Sequence, residues 1–316
     1  MKISVLFQGV LLVSMVALMV PACSSNDRSQ TPSLPNAALR GAPQGGFTFV
    51  TSDGRLVPYM PTRRQAARFA PYFKLPLTFA LTYGGGSIQP SPKVYVVFWG
   101  KIWQNRIGDP DGVGRYLKDF LKALNGSQWL STVTQYYGPP GTYITNTTSL
   151  QGTYIDSTSE LPPQPSDEII RYEAYLAAAH FGDYSGDASY VVAMPHGHDP
   201  PWFGFGLCAY HASLSNAGPS GQPIAYTALP YMPDTGKACG AGSVNNPGTL
   251  DGVSIIEGHE QAETETDPQP FTGWSGANHF ELADPCDWHN LQNTQFGRKT
   301  FPTQPLWSNV DNGCVQ

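Results

Sequence analysis

The segment that decides the fold class is KVYVVFWG, at residues 93–100. Its β-branched and aromatic side chains lie between Pro92 and Gly100, which predicts a buried strand. Residues 111–124 follow with apolar side chains at helical spacing and end at an Asn-Gly pair. This pattern predicts an amphipathic helix directly after the strand.

Alternating strands and helices are predicted along the rest of the chain. They are, in order, a short helix at 128–136, a strand at 141–155, a helix at 169–180 capped near Ser166, strands at 189–195 and 223–230, and a helix from 251 to about 266. The last helix stops before Pro268, and the sequence beyond is loop-rich. We therefore expect a single α/β or α+β domain with a mixed sheet and a loop-rich C-terminal tail.

The composition excludes several classes of protein. Hydrophobic residues make up 41% of the chain and aromatic residues 12%, which excludes overall disorder. Charged residues reach only 13%, too few for a coiled coil. The 18 basic residues form no run and the net charge is −6, so we expect no nucleic-acid partner.

The first 22 residues are typical of a secretory signal peptide. Lys2 is followed by an apolar run over residues 5–20, and Cys23 follows the small residue Ala22. This order resembles a bacterial lipoprotein signal, in which the cysteine becomes the lipidated first residue. The alternative is an ordinary signal with an incidental cysteine. We expect an exported lipoprotein anchored to the membrane or cell surface, or released extracellularly, that touches the membrane only through a lipid on Cys23.

Residues 23–75 are rich in Ser, Pro, Gly, Asn and Gln, which predicts a flexible tether between the anchor and the folded part, with a little order near Phe47–Val50. Within it, residues 63–68 could form a helical turn or an exposed processing site. The catalytic domain is then expected to span residues 76–316.

Four cysteines remain after Cys23, an even number that indicates two disulfides in an exported chain. Three pairings are possible. Because short loops close more readily, we favour Cys208–Cys239 and Cys286–Cys314.

The chemistry concentrates in the predicted last helix, which contains IIEGHEQAE at residues 255–263. His259 and Glu263 are four residues apart and share one face, while Glu260 lies beside them. In the related zinc pattern H-E-x-x-H, two histidines bind the metal and the glutamate is the general base. A carboxylate at the second position remains a zinc ligand, and it also admits calcium. We predict His259 and Glu263 as metal ligands and Glu260 as the general base.

An acidic segment, ELADPC at residues 281–286, offers a third metal ligand, which could be either Glu281 or Asp284. We favour Asp284 because Pro285 restricts its backbone and the neighbouring Cys286 would hold the loop rigid. Glu281 is then expected to orient His259 through its free ring nitrogen. The alternative to a metal site is a direct hydrogen bond between His259 and Glu263 in the core.

Three other features offer weaker candidates. His196 and His198 follow a predicted strand and could line the cleft or bind a second metal, although a simple turn is the alternative. Cys208 and His211 could form a nucleophile pair, but a disulfide at Cys208 leaves His211 as a catalytic proton donor or oxyanion partner. Aromatic residues in the loops could stack on sugars or cover the core; they are Trp202, Phe203, Phe205, Trp274, Phe280 and Trp288.

The late motifs resemble those of a family of exported bacterial proteins. Residues 250–268, Gly273-Trp274 and residues 281–286 are similar to its pattern S-H-E-x-x-E-x-x-T-D-P, then G-W, then E-I-x-D-x-C. GLCAYH at 206–211 and IAY at 224–226 also fit. The resemblance implies a secreted metallopeptidase. Gly258 departs from the family pattern, which has serine there.

A second resemblance covers the beginning of the predicted domain. LTYGGG at residues 81–86 and the strand at 94–100 are similar to plant phosphate-induced, EXORDIUM-like proteins. Gly84 departs from that pattern, where histidine is usual, and this departure weakens any transfer of function from the plant proteins.

Together these features predict a zincin-like domain with a late metal-binding helix. The expected function is a surface-displayed zinc-dependent endopeptidase that acts on protein or peptide substrates through metal-activated water. The alternative is a non-catalytic module that is stabilised by calcium and binds glycan or protein.

Overall fold

The structure of the protein, a computed structural model, describes residues 39–41, 46–70, 79–139, 141–159 and 161–316. The described strands are β1 Leu39–Gly41, β2 Phe47–Val50, β3 Leu56–Pro58, β4 Met60–Pro61, β5 Thr82–Tyr83, β6 Lys93–Trp99, β7 Ser149–Asp156, β8 Ala188–Ala193, β9 Leu207–Leu214, β10 Ile224–Leu229, β11 Trp274–Ser275, β12 Gln292–Phe296, β13 Lys299–Thr303, β14 Leu306–Ser308 and β15 Gly313–Val315. The described α-helices are α1 Arg63–Phe69, α2 Val113–Ala123, α3 Asp167–Phe181 and α4 Asp251–Thr266. Short 3₁₀ segments lie at Lys101–Gln104, Leu130–Gln135, Met232–Cys239, Ala277–His279 and Asp284–Cys286.

The central feature is a mixed six-stranded sheet in the order β4-β9-β10-β8-β6-β7. Strands β10, β8, β6 and β7 are parallel, whereas β9 runs antiparallel to β10 and β4 antiparallel to β9. All described residues belong to one compact unit. The predicted single mixed α/β domain is therefore confirmed.

Helices cover both faces of this sheet and enclose two hydrophobic cores. Side chains alternate along β6, so Val96 and Phe98 join the core beneath α2 and α4, while Val97 and Trp99 join the core beneath α3. A strand buried on both faces carries a nearly continuous apolar run, which explains the composition of residues 93–100. Each such side chain contributes roughly 1.5–3 kcal/mol by leaving water.

Most predicted elements are present, although β5, β9 and β11–β15 were not among them. The helix predicted at 128–136 is a 3₁₀ segment, and the strand predicted at 141–155 is the shorter β7, which pairs in the sheet from residue 149. Strand β9 had no counterpart among the predicted elements. Its sequence LCAYHASL is short of β-branched residues, which weakens the strand signal, yet pairing with β4 and β10 makes it part of the sheet.

Within the segment predicted as a tether, order extends beyond the short stretch expected near Phe47–Val50 and covers residues 46–70, including the helix α1 where a helical turn was one expectation. Phe47, Phe49, Val57 and Tyr59 on and beside β2 and β3 are buried in the core beneath α3. Phe49 packs edge-on against Tyr210 of β9, with ring centroids 5.1 Å apart. This alternating apolar pattern buries enough surface to order a segment whose overall composition is that of a linker. The signal peptide and Cys23 lie outside the described residues.

Among the described residues, no helix is both long enough and apolar enough to span a membrane.

The buried face of α3 carries a carboxyl group, Glu173, that should make stability depend on pH. Burial, and then the charge of Asp156, raise its pKa to about 8. A folded-state pKa above the unfolded value means that the folded chain holds the proton more tightly. The contribution of Glu173 to the free energy of unfolding therefore falls as pH rises from about 4.5 to about 8.

We expect Glu173→Gln to remove the fall in unfolding free energy with rising pH, because glutamine has nearly the shape of glutamate and cannot ionise. Relative to the wild type, the variant should gain on the order of 3 kcal/mol in unfolding free energy between pH 5 and pH 9. Denaturant titrations at the two pH values measure the gain. Glu168→Gln, at an exposed position of the same helix, is the control. Equal pH dependence in Glu173→Gln and the wild type would contradict the expectation.

Candidate metal centre

Helix α4 is buried along its whole length. It packs against β9 and β10 on one side and against α2 and β13 on the others, so its polar side chains are buried. The helix begins at Asp251, whose carboxylate accepts hydrogen bonds from the backbone N–H groups of Val244 and Asn245. It ends at Thr266, before Pro268.

Gly258 lies in the middle of this helix because of close packing. A Cβ atom at this position would lie 3.1 Å from the ring of Trp129 and 3.2 Å from that of Phe120. The absence of a side chain lets α4 approach these rings, and it places the next residue, His259, within the core.

His259 contacts carboxylates through both ring nitrogens. Its Nε2 lies 3.1 Å from Glu263 Oε2 and 3.8 Å from Asp284 Oδ1. Its Nδ1 lies 3.3 Å from Asp287 Oδ1 and 3.3 Å from Gln304 Nε2. The pair predicted at helical spacing, His259 and Glu263, thus meets Asp284 from the later loop.

Glu263 ties that loop to the helix. Its Oε1 accepts the backbone N–H groups of Ala283 at 3.0 Å and Asp284 at 3.2 Å. Asp284 Oδ2 in turn accepts the N–H of Glu281 at 2.8 Å. These bonds leave Glu263 Oε2 and Asp284 Oδ1 directed toward His259 Nε2.

His211 reaches the same cluster from β9. Its Nδ1 lies 3.2 Å from Glu260 Oε2 and 3.7 Å from Glu263 Oε2, and its Nε2 lies 3.5 Å from Glu281 Oε1. Since His211 and His259 both face Glu263 Oε2, this carboxylate lies between the two imidazoles.

The predicted orienting role of Glu281 is wrong, because Glu281 faces His211 rather than His259. Asp287 takes the position beside the second nitrogen of His259. Asp287 was not among the predicted site residues. The only signal for it is its place directly after the acidic segment at residues 281–286.

Burial and charge act against each other at the two imidazoles. Burial lowers the pKa of His211, but Glu281 and Glu260 outweigh it and raise the pKa well above the ordinary value. The pKa of His259 is likewise raised, by Glu263 and Asp287, against the effect of burial. Both imidazoles therefore lie where positive charge is strongly favoured.

The pKa values of four carboxylates in the cluster are shifted as well. Burial raises the pKa of Asp284 and of Glu281 well above the usual range, and it raises that of Asp287 to about 6. Burial alone would also raise the pKa of Glu263, but His259 and His211 lower it. A cluster that must otherwise take up protons is a favourable environment for a cation.

Several buried polar atoms in this cluster have no hydrogen-bond partner. They are His211 Nε2, His259 Nε2, Glu260 Oε1, Asp287 Oδ1 and both carboxylate oxygens of Glu281. Three groups place their ligand atoms within 4.8 Å of one another: His211, Glu263 and Glu281; His259, Glu260 and Glu263; and His259, Asp284 and Asp287. These buried groups could hold a metal ion, as the donor types and the unpartnered atoms indicate.

A cleft of about 660 Å³ borders the cluster. Asp284 and Asp287 form part of its wall, together with Phe47, Arg63, Phe280 and Trp288. Within the cluster, His211, His259 and Glu281 are inaccessible, whereas Asp284 keeps 7% of its surface exposed. The cluster therefore reaches solvent on the side of Asp284 and Asp287.

Two disulfides stiffen the surroundings of the site. Cys208 pairs with Cys239 and Cys286 with Cys314, which confirms the favoured pairing. Cys286 lies between Asp284 and Asp287, so its disulfide anchors the loop that bears them. Because Cys208 is bonded, the alternative of a Cys208–His211 nucleophile pair is wrong.

The remaining candidates lie outside the cluster. His196 Nδ1 pairs with Asp234 Oδ1 at 2.5 Å, and His198 Nδ1 contacts the carbonyl of Pro162 at 3.1 Å. Within the described ranges, neither histidine belongs to a group able to hold a metal. Among the aromatic loop residues, Phe203, Trp274 and Phe280 are buried in the core, and Phe205 is 74% exposed.

Comparison with protein-family models finds no match for the chain. No curated protein and no solved structure is significantly similar to it.

Proposed function

We propose that the protein is a metal-dependent peptidase of zincin-like layout, with zinc held by His259, Glu263 and Asp284. The observation that carries the proposal is that Glu263 Oε2 and Asp284 Oδ1 lie 3.1 Å and 3.8 Å from His259 Nε2, with Asp284 at the edge of an open cleft. Three protein ligands with access to solvent are the usual arrangement of catalytic zinc.

The donor set supports zinc over calcium. Calcium is bound in proteins by oxygen atoms, usually six to eight of them, whereas zinc accepts imidazole nitrogen together with carboxylate oxygen. His259 Nε2 is central to the set and lacks a hydrogen-bond partner. A bound zinc ion would polarise the substrate carbonyl and acidify a water molecule.

Glu260 is the residue best placed to act as the general base for the attacking water. It lies beside His259 and Glu263 in one of the three groups, and its Oε1 has no hydrogen-bond partner. It would accept a proton from the attacking water and deliver it to the leaving amine. Its other oxygen faces His211 Nδ1 at 3.2 Å, so the imidazole would orient the carboxylate.

The cleft supports a peptide as the substrate. Trp288 provides apolar surface beside the nearly buried rings of Phe47 and Phe280, and Arg63 lies over the Trp288 ring at 5.9 Å. Apolar surface next to one guanidinium suits a chain with hydrophobic side chains and a carbonyl or carboxylate group. We further propose that the protein is exported and attached through Cys23; two disulfides support an oxidising compartment.

The test is hydrolysis of a mixture of unfolded proteins by the full chain, before and after removal of metal. We expect cleavage that is lost on treatment with 1,10-phenanthroline and restored by zinc but not by calcium. Absence of cleavage by a zinc-saturated wild type across varied peptides would overturn the peptidase proposal and leave the metal site intact.

A further inference from the structure

The cluster contains a second set of metal donors beside the His259 site. His211, Glu263 and Glu281 place one ligand atom each within 4.8 Å of the others. They come from three different elements, namely β9, α4 and the loop after β11. Glu263 belongs to this set and also to a set that contains His259.

The second set is buried and lacks hydrogen-bond partners. His211 and Glu281 are fully inaccessible, and Glu263 is 2% exposed. Neither His211 Nε2 nor either Glu281 oxygen has a hydrogen-bond partner, although His211 Nε2 and Glu281 Oε1 lie 3.5 Å apart. Donors brought together in the interior without other partners either take up protons or hold a cation between them.

The charge of the whole cluster favours two cations. The three groups together contain five carboxylates and two imidazoles. In the described part of the chain, no lysine or arginine forms an ion pair with any of these carboxylates. If the five carboxylates are ionised and the two imidazoles are neutral, the cluster has a charge of −5. One divalent cation then leaves three negative charges uncompensated, whereas two divalent cations leave one.

We infer that the site binds two zinc ions, with Glu263 as a ligand shared between a first ion at His259 and a second at His211 and Glu281. The position of Glu263 is consistent with a shared ligand, because its Oε2 lies 3.1 Å from His259 Nε2 and Glu263 also belongs to the group with His211 and Glu281, where the unpartnered His211 Nε2 is the available nitrogen. The inference rests on the metal site of the proposed function. It makes His211 and Glu281 metal ligands in addition to their contacts with other side chains.

The experiment is a zinc titration of the metal-stripped full chain by calorimetry, with the bound metal counted by mass spectrometry after desalting. We expect two equivalents in the wild type and one in both His211→Ala and Glu281→Gln. Glu281→Gln keeps the shape of the side chain, so it guards against a fold lost in His211→Ala. Glu168→Gln, exposed on α3, should keep two equivalents.

The outcomes separate this inference from the proposed function. One equivalent in the wild type, unchanged in Glu281→Gln and lost in His259→Ala, would overturn the second site and leave the single-zinc peptidase standing. No bound zinc in the wild type would overturn both.

Discussion

Replacing Glu260 by glutamine is expected to lower kcat for peptide hydrolysis about 10²–10⁴-fold while the protein keeps its zinc. Glutamine has nearly the same shape as glutamate, so the fully buried position remains filled. It cannot accept the proton of the attacking water, because its amide nitrogen and oxygen are not basic. Turnover of a fluorogenic peptide and metal content of the same preparation measure the two effects.

The matched control is Glu257→Gln. Glu257 is also fully buried on α4, one helical turn before Glu260, and it belongs to none of the groups able to hold a metal. We expect this variant to hydrolyse peptide at nearly the wild-type rate. Loss of zinc in Glu260→Gln would identify Glu260 as a ligand and contradict its role as the general base.

Removing the metal, or its central ligand His259, is expected to have the largest effect on stability. A ligand that binds only the folded chain stabilises it by about 4 kcal/mol at a thousand times its dissociation constant. Stripping zinc from the wild type should therefore lower the thermal midpoint by several degrees, since the buried carboxylates lose their cation. His259→Ala should bind no zinc at its site, and added zinc should raise its thermal midpoint less than that of the wild type.

His196→Ala serves as the control for this prediction. His196 is exposed and pairs with Asp234, outside the metal-capable groups of the described residues. Its variant should keep the full zinc-dependent rise of the thermal midpoint. Calorimetric scans with and without chelator measure the zinc-dependent rise of the thermal midpoint. An equal rise in His259→Ala and the wild type would contradict the assignment of His259 as a metal ligand.

The α/β class and the late helix could be predicted because their signals are local. The apolar run of β6 and the helical spacing before Pro268 each lie within a few residues of sequence. The spacing of His259 and Glu263 likewise specifies a shared helical face without reference to the rest of the chain.

The features that were missed depend on contacts between distant residues. Strand β9 has a weak local pattern and is fixed by pairing with β4 and β10. The segment 46–70 has the composition of a linker, and only its burial against β9 and α3 orders it. Neither the pairing of β9 nor the burial of residues 46–70 can be read from the spacing of nearby residues.

The partners of the site residues depend on the same long-range geometry. Sequence spacing could not show that Glu281 would face His211, because β9 carries His211 to the cluster from 70 residues away. The loop that brings Asp284 to His259 also turns Asp287 toward the other ring nitrogen. The partners of Glu281, Asp284 and Asp287 can therefore be assigned only when the path of the loop between α4 and β12 is known.

The most direct test of a metal held by the His259 cluster is anomalous scattering from crystals of the zinc-loaded protein. Data collected on both sides of the zinc absorption edge locate the ion independently of its ligands. We expect an anomalous peak about 2.0–2.2 Å from His259 Nε2 and from carboxylate oxygens of Glu263 and Asp284. No peak in the cluster, with His259 and Glu263 joined by a direct hydrogen bond in zinc-soaked crystals, would contradict the account.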